Sequence, residues 1–365
     1  MKVGILSLTS GYNFGGTLQT IALSKIIQTL GHEPIVIDYW PTPPKNIPLW
    51  RGWGLMNESI ISNVRRRLFE IKYLPSFKDK YDKFKTSRLD WTDRCYDSNG
   101  IKKVIKNLDA IVVGSDQVWN LKYHPDSNYY LGDFDDYRGK RISYAACCGN
   151  PSQGCPEWAA KALLKFDNLT VRNPFTADWV RRCTNNKAQP ITVCDPTLLI
   201  DDYPKPQMEL PDRYIAAYLI GDDNGANHNR TLRQLRQRYG NLPVLCIMPT
   251  GFAICIREWY DKILWNLDPY EWIDVIKNAS VVYTDSFHAV LFAMRNQIPF
   301  IATYTEAVRA PRLLDLKLRY NLNDCIQKAS DVEILNTDID WDIIKESWVN
   351  DRDNSLCHLQ SIFDL

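Results

Sequence analysis

Ser280–Ala302, SVVYTDSFHAVLFAMRNQIPFIA, runs through a short apolar stretch, a polar turn, a helix that is apolar nearly all round, and a second apolar run. A helix carrying Phe287, Val290, Leu291, Phe292 and Met294 with so little polar surface between them cannot lie on the outside of a protein. It is expected between a sheet and its neighbours, which makes the chain a layered α/β protein. Thr284-Asp285-Ser286 supplies N-capping side chains for a helix over about 287–296, and Asn296 and Pro299 stop it. Ile298–Ala302 then reads as the next buried strand. This arrangement places His288 in the first turn of a helix, where unpaired backbone N–H groups attract an anion. The competing reading is a core histidine satisfied by one hydrogen bond.

The same period recurs along the chain. Val3–Leu8, a helix over Thr17–Leu30 and Pro34–Ile37 form a βαβ unit, with Gly31 closing the helix. The connecting turn from Thr9 to Gly16 is glycine-rich and opens onto a helix N-terminus, which suits a phosphate, a carboxylate or the close approach of a sugar. Its glycines do not follow the G-x-G-x-x-G spacing, so a dinucleotide held with Asp38 on its ribose is not expected. Asp109–Val113 delivers Gly114-Ser115-Asp116-Gln117 at its carboxyl end, Leu169–Val171 delivers Arg172, and Ile191–Cys194 delivers Asp195. Strands are expected again at Tyr214–Leu219 and Val244–Met248, with helices over 226–239 and 269–278. Asp202–Asp212, with three prolines, is the linker.

A length of 365 residues fits two domains. The reading is a first Rossmann-like doubly wound domain over 1–203 with a helical insertion at about 55–95, a second over 204–335, and a helical tail over 336–365 crossing back to the first domain. In open parallel sheets ligands bind outside the carboxyl ends of the strands. Asn13, Asp116, Arg172, Asp195 and His288 all follow strands, and two such domains facing a cleft would gather them.

A net charge of +1 gives no general affinity for nucleic acid. The segment over 57–88 is basic and flanked by aromatics, which fits either a solvated helical insertion or a helix in peripheral contact with an anionic membrane. The opening MKVGILSLTS lacks the pattern of a signal peptide, so a cytoplasmic protein is expected, either free or peripheral at the inner membrane face. Ten cysteines without a C-x-x-C pair read as buried thiols, and no metal cluster is expected.

Six pieces, in order, resemble the polysaccharide pyruvyl transferases: Tyr12-Asn13-Phe14-Gly15 with Leu18-Gln19 and Ala22-Leu23; Val113 to Asn120; Ser143-Tyr144-Ala145-Ala146; Val171-Arg172; Cys194 to Leu199; and Thr284 to Ala289. The resemblance implies two Rossmann-like domains arranged as in GT-B glycosyltransferases. It implies transfer of a pyruvyl group from phosphoenolpyruvate, as donor substrate and with no cofactor, to two hydroxyls of a sugar acceptor, free or lipid-linked, forming a cyclic ketal and phosphate. His288 is then the acid and Asp116 the base. Relatives carry Arg-Leu-His where this chain has Ser286-Phe287-His288. The donor set therefore becomes Arg172, Ser286, Arg309 and Arg312, with Asn13, Gly15, Ser115, Gln117 and Asp195 on the acceptor side. The main alternative is a nucleotide-sugar-dependent glycosyltransferase of the same fold. A non-catalytic binding or redox protein is disfavoured by the missing C-x-x-C.

Overall fold

The computed structural model describes residues 1–40, 60–122, 128–134, 136–221, 228–248, 260–305, 310–334 and 339–364, with the backbone alone at 60–71 and 128. The chain divides into two compact units: Met1–Pro43, Lys85–Asp202 and Trp348–Leu365 form the first, and Pro44–Phe84 with Tyr203–Ser347 the second.

The elements in chain order open with β1 (Lys2–Leu6), α1 (Phe14–Thr29), β2 (Glu33–Val36), α2 (Ile60–Thr86), α3 (Ser98–Ile105), β3 (Ala110–Val113), β4 (Lys140–Ala146) and α4 (Glu157–Leu163). They continue through β5 (Asn168–Val171), α5 (Pro174–Cys183), β6 (Ile191–Thr192), β7 (Ile215–Tyr218), α6 (His228–Arg238), β8 (Val244–Ile247) and β9 (Lys262–Leu264). Then come α7 (Pro269–Lys277), β10 (Val281–Thr284), α8 (Phe287–Arg295), β11 (Phe300–Tyr304), α9 (Ala310–Arg319), β12 (Ile326–Lys328) and α10 (Trp341–Phe363).

Each unit holds one six-stranded parallel sheet, ordered β2-β1-β3-β4-β5-β6 in the first and β12-β11-β10-β7-β8-β9 in the second. Both are doubly wound, Rossmann-like orders. The order reverses between β1 and β3 in one sheet and between β7 and β10 in the other, and such reversals open a crevice beyond the strand ends. The strands earn their burial through composition: Ala110–Val113 and Val281–Thr284 are buried at every position, as strands covered on both faces must be. Trp119, Trp179 and Phe166 meet edge-on or tilted in the first core, with centroids 5.9 and 6.2 Å from the Trp119 ring.

Two expectations change. The basic segment forms one helix, α2, which runs through Pro75, and its residues up to Phe84 belong to the second unit, not to the first. The reason is packing. Tyr73 packs tilted against Trp265 with ring centres 4.5 Å apart, Phe84 meets Tyr270 edge-on at 4.8 Å, and Lys80 Nζ donates to Asn266 O at 3.0 Å and to Glu271. Glu271 also closes the capping box of α7 by accepting from Asp268 N. Lys80→Met is expected to lower stability by about 1 kcal/mol, since the bridge is only partly buried; thermal melting reads this, and an unchanged midpoint would remove the bridge as an anchor. The side chains of Arg65, Arg66 and Arg67, on which a membrane contact would rest, lie outside what is described.

The second change concerns sulfur. Cys155 and Cys183 form a disulfide, Cα atoms 5.0 Å apart, against the expectation of thiols alone. The loop before α4 is brought there by Trp179 Nε1, which donates to Gly154 O, and by Arg182 Nη2, which donates to Pro151 O. The tail helix α10 joins the first unit from Trp348 onward, where Ser355 Oγ accepts from Cys194 N at 2.9 Å and Phe363 packs on His32. Among the described residues no helix is long and apolar enough to cross a membrane.

Candidate active-site residues at the carboxyl ends of the two sheets

In the first unit the turn after β3 is tightly specified. Gly114 has φ +129°, and a Cβ there would lie 2.1 Å from Tyr144 O, so only glycine lets β3 and β4 approach at this point. Ser115, reached through a cis peptide, is consumed by the scaffold. Its N–H donates to Gln19 Oε1 at 2.8 Å, its Oγ to Ala145 O at 2.9 Å, and its O accepts from Ser7 Oγ at 3.3 Å. Gln19 Nε2 donates back to Ser7 Oγ at 2.7 Å, closing a buried network across the β1–β3 reversal. Ser115 is therefore built into the framework of this turn.

Asp116 follows with φ +67°, a left-handed conformation that Asp tolerates better than most residues. Its Oδ1 accepts from Arg172 Nη2 at 3.1 Å, and Arg172 Nη1 donates to Asp195 Oδ2 at 3.1 Å. Arg172 is 1% exposed. Burial opposes its charge, but Cys147, Asp116 and Asp195 outweigh that penalty and hold its pKa above the ordinary arginine value. Arg172 is thus engaged by two buried carboxylates. Asp195 Oδ1 in turn accepts from Thr197 N and Oγ1 at 3.0 and 2.8 Å.

Cys147 and Cys148 are fully buried beside this cluster. Asn173 Nδ2 and Gly149 N each donate to Cys147 Sγ at 3.3 Å. Burial, then the neighbouring Cys147, pushes the Cys148 thiol up to about 12, so it is not a nucleophile at neutral pH.

Asn13 caps α1, its Oδ1 accepting from Gly16 N at 3.1 Å, while the residue itself stays exposed. Gly15 lies inside the first turn of α1 and is buried, so it does not line an open loop. A residue given no role from the sequence stands beneath this turn. Lys85, 7% exposed, donates to Thr9 O at 3.0 Å and lies 5.6 Å from the ring centres of both Tyr12 and Trp91. No local signal separates it from the other lysines of the basic segment.

In the second unit the turn after β10 is tied to the end of β7. Thr284 Oγ1 donates to Tyr218 O at 2.6 Å and accepts from Ser286 N at 3.0 Å. Asp285, expected only to cap a helix, accepts with its two oxygens from Ile220 N and Gly221 N at 2.8 and 3.0 Å. It fixes the chain leaving β7 at the reversal of this sheet. Ser286 Oγ accepts from Ala289 N at 3.4 Å and is the cap of α8. His288 is the second residue of α8, 6% exposed, with the Phe287 ring edge-on at 5.3 Å. His228, which begins α6, was also missed; its Nδ1 is 2.8 Å from Tyr283 Oη. Arg312 lies in α9 and not in a loop, and Arg309 falls outside the described residues.

Asp38, the residue a dinucleotide would have used, is taken by Trp40 Nε1 and Arg94 Nε at 2.5 and 2.8 Å. Cavities of 550 Å³ beside Lys2 and Glu33 and of 510 Å³ beside Val281 and Phe300 open at the amino ends of the sheets, the opposite ends from Asp116 and His288. No group of three or more metal-ligating side chains occurs among the described residues.

The family model for polysaccharide pyruvyl transferases matches residues 13–306. The chain belongs to the polysaccharide pyruvyl transferase family. The match takes in every site candidate of this transferase from Asn13 to His288 and ends before Arg309 and Arg312. No curated protein matches the sequence. Among solved structures, the transferase is similar to the glycotransferase of kitacinnamycin, at 8% identity and TM-score 0.50, over 100% of this chain and 98% of the other. It is also similar to the UDP-GlcNAc 2-epimerase from Neisseria meningitidis bound to UDP-GlcNAc, at 10% identity and TM-score 0.50, over 96% and 91%. These likenesses are of fold, two Rossmann-like domains as in the GT-B glycosyltransferases.

Proposed function

We propose that this transferase moves the pyruvyl group of phosphoenolpyruvate onto two hydroxyls of one sugar residue in a polysaccharide or its precursor. The products are a cyclic pyruvate ketal and phosphate. The observation that carries the reading is the family match, whose span of residues 13–306 takes in both the Gly114–Gln117 turn and the Thr284–His288 turn.

The proton count shapes the chemistry. Each acceptor hydroxyl gives up one proton as its C–O bond to the former enol carbon forms. One proton ends on the methylene carbon, which becomes the methyl group, and the other ends on the departing phosphate. A side chain that gives and takes protons near neutral pH suits the donor end, and an imidazole does so. His288 is our acid. It stands in the first turn of α8, where backbone N–H groups favour the anionic donor. Asp116 is our base for the acceptor hydroxyl, held in place by Arg172, with Gln117 beside it for hydrogen bonding. Asn13, exposed at the start of α1, is a second acceptor contact.

The test offers phosphoenolpyruvate, or a panel of nucleotide sugars, together with galactose- or mannose-containing acceptors, and follows phosphate release and acceptor mass. One phosphate released per pyruvyl group gained is the expected result. Consumption of a nucleotide sugar with phosphoenolpyruvate untouched would overturn the proposal in favour of glycosyl transfer.

A further inference from the structure

Gln117 and Asn120 form a pair of carboxamides whose polarity can be read from one backbone hydrogen. Asn120 Oδ1 accepts from Lys122 N at 3.1 Å. A backbone N–H can only donate, so the oxygen of Asn120 must face it and the Asn120 amino group must face the other way. That amino group donates to Gln117 Oε1 at 3.0 Å. The oxygen of Gln117 is therefore occupied, and its Nε2 is left as a donor with no hydrogen bond to a described residue. Asn120 is 5% exposed, whereas Gln117 is half-buried and so not sealed from a ligand.

The surroundings hold this arrangement. Asn120 N donates to Gln117 O at 3.1 Å, closing a turn, and Gln153 brackets the following segment by donating to Trp119 O at 2.9 Å and accepting from Leu121 N at 3.1 Å. The two amides pack directly on Gly149, whose φ is +71°. A Cβ there would fall 2.3 Å from Gln117 Oε1 and 2.6 Å from Asn120 Nδ2. The space is shaped for the hydrogen-bonded pair and leaves no room for a side chain at 149.

We infer that Gln117 recognises an oxygen of the sugar acceptor by donating from Nε2, and that Asn120 is the positioning residue that sets this polarity. The inference rests on the acceptor-side reading above. It makes the site selective for a group that accepts, a hydroxyl or ring oxygen in its lone-pair direction, over one that only donates.

Asn120→Asp tests it with almost no change of shape. The aspartate still accepts from Lys122 N–H, but its second oxygen needs a donor, which only a rotated Gln117 amide supplies. Gln117 then turns its oxygen outward. The expected result, with whichever galactose- or mannose-containing acceptor takes up pyruvyl in the assay above, is an acceptor KM raised about tenfold to a hundredfold. The KM for phosphoenolpyruvate, kcat at saturating acceptor and the melting temperature stay near their wild-type values. Gln117→Glu, which keeps the contact to Asn120 and loses the outward donor, should behave alike. In a Gln117→Met background, Asn120→Asp should add nothing further, because Asn120 acts only through Gln117. A rise in KM that persists in that background, or an acceptor KM that stays put in Asn120→Asp, overturns the inference.

A second readout needs no turnover. With Asn and Gln side chains labelled with 15N, the Asn120 amide protons should exchange slowly and those of Gln117 fast in the wild type, with Gln117 becoming protected in Asn120→Asp. The reverse pattern overturns the polarity even if pyruvyl transfer is confirmed. The expected pattern alongside a failure to consume phosphoenolpyruvate would place the fault in the functional reading instead.

Discussion

Arg172→Met is expected to cost about 3–5 kcal/mol of folding stability, read as a lowered midpoint in urea denaturation. The charges of the cluster explain the size. Arg172 stands between Asp116 and Asp195, each at 3.1 Å, with one cation facing two carboxylates in a buried setting. Removing the cation takes its charge away from both buried carboxylates at once, so less of the desolvation they suffer is offset. Asp116→Asn, in contrast, leaves one cation and one carboxylate, Arg172 with Asp195, and is expected to cost only about 1–2 kcal/mol. Arg172→Lys should resemble the Met variant more than the wild type, because a single ammonium cannot reach two carboxylates from the two ends of a planar fork. A midpoint for Arg172→Met close to that of the wild type would show that the cluster does not hold the ends of β3, β5 and β6 together. The inequality between the Arg and Asp variants is the signature of a one-to-two charge arrangement, and a simple pair would show both alike.

That arrangement was out of reach of the sequence, although its members were not. Asp116, Arg172 and Asp195 were each placed at a strand end because a short buried run followed by a polar turn marks such an end. What a turn does next depends on neighbours far along the chain. Asp116 and Arg172 are 56 residues apart, and a free strand-end cation looks the same in one dimension as a cation already engaged by two carboxylates. The alternation of buried strands and helices made the two parallel sheets legible. Elements with weak patterning were not: β9 and β12, three residues each, are short edge strands that carry too few positions to show a period. Pro75 is a strong local signal for a break, yet α2 continues through it because Phe77, Tyr81 and Phe84 beyond it are buried. Asp285 was read by its position as a cap, and only the parallel pairing of β10 with β7 brings the Ile220 and Gly221 amides to it. Local chemistry named the residues, and tertiary pairing decided which hydrogen bonds and ion pairs each of them makes.

His288→Ala is expected to lower kcat by ~10²–10⁴ while phosphoenolpyruvate still binds, since general acid catalysis is worth about that much. The fold around the residue supports a loss confined to chemistry. The α8 cap is made by Ser286, the link to β7 by Thr284 and Asp285, and neither depends on the imidazole. The other buried side chains of α8, from Ala289 to Met294, are untouched by the change. His288→Gln keeps much of the volume and a hydrogen-bonding group but cannot cycle a proton near neutral pH, so it should be nearly as slow as Ala. A core histidine satisfied by hydrogen bonding would instead tolerate Gln and lose stability with Ala. A further measurement separates the readings: added imidazole should return part of the rate to His288→Ala by supplying the missing proton carrier. A His288→Gln rate within roughly a few-fold of wild type, with no rescue of His288→Ala by imidazole, would remove His288 from the chemistry. The acid would then have to be sought at His228, the other buried imidazole of the same unit, whose Nδ1 is already committed to Tyr283.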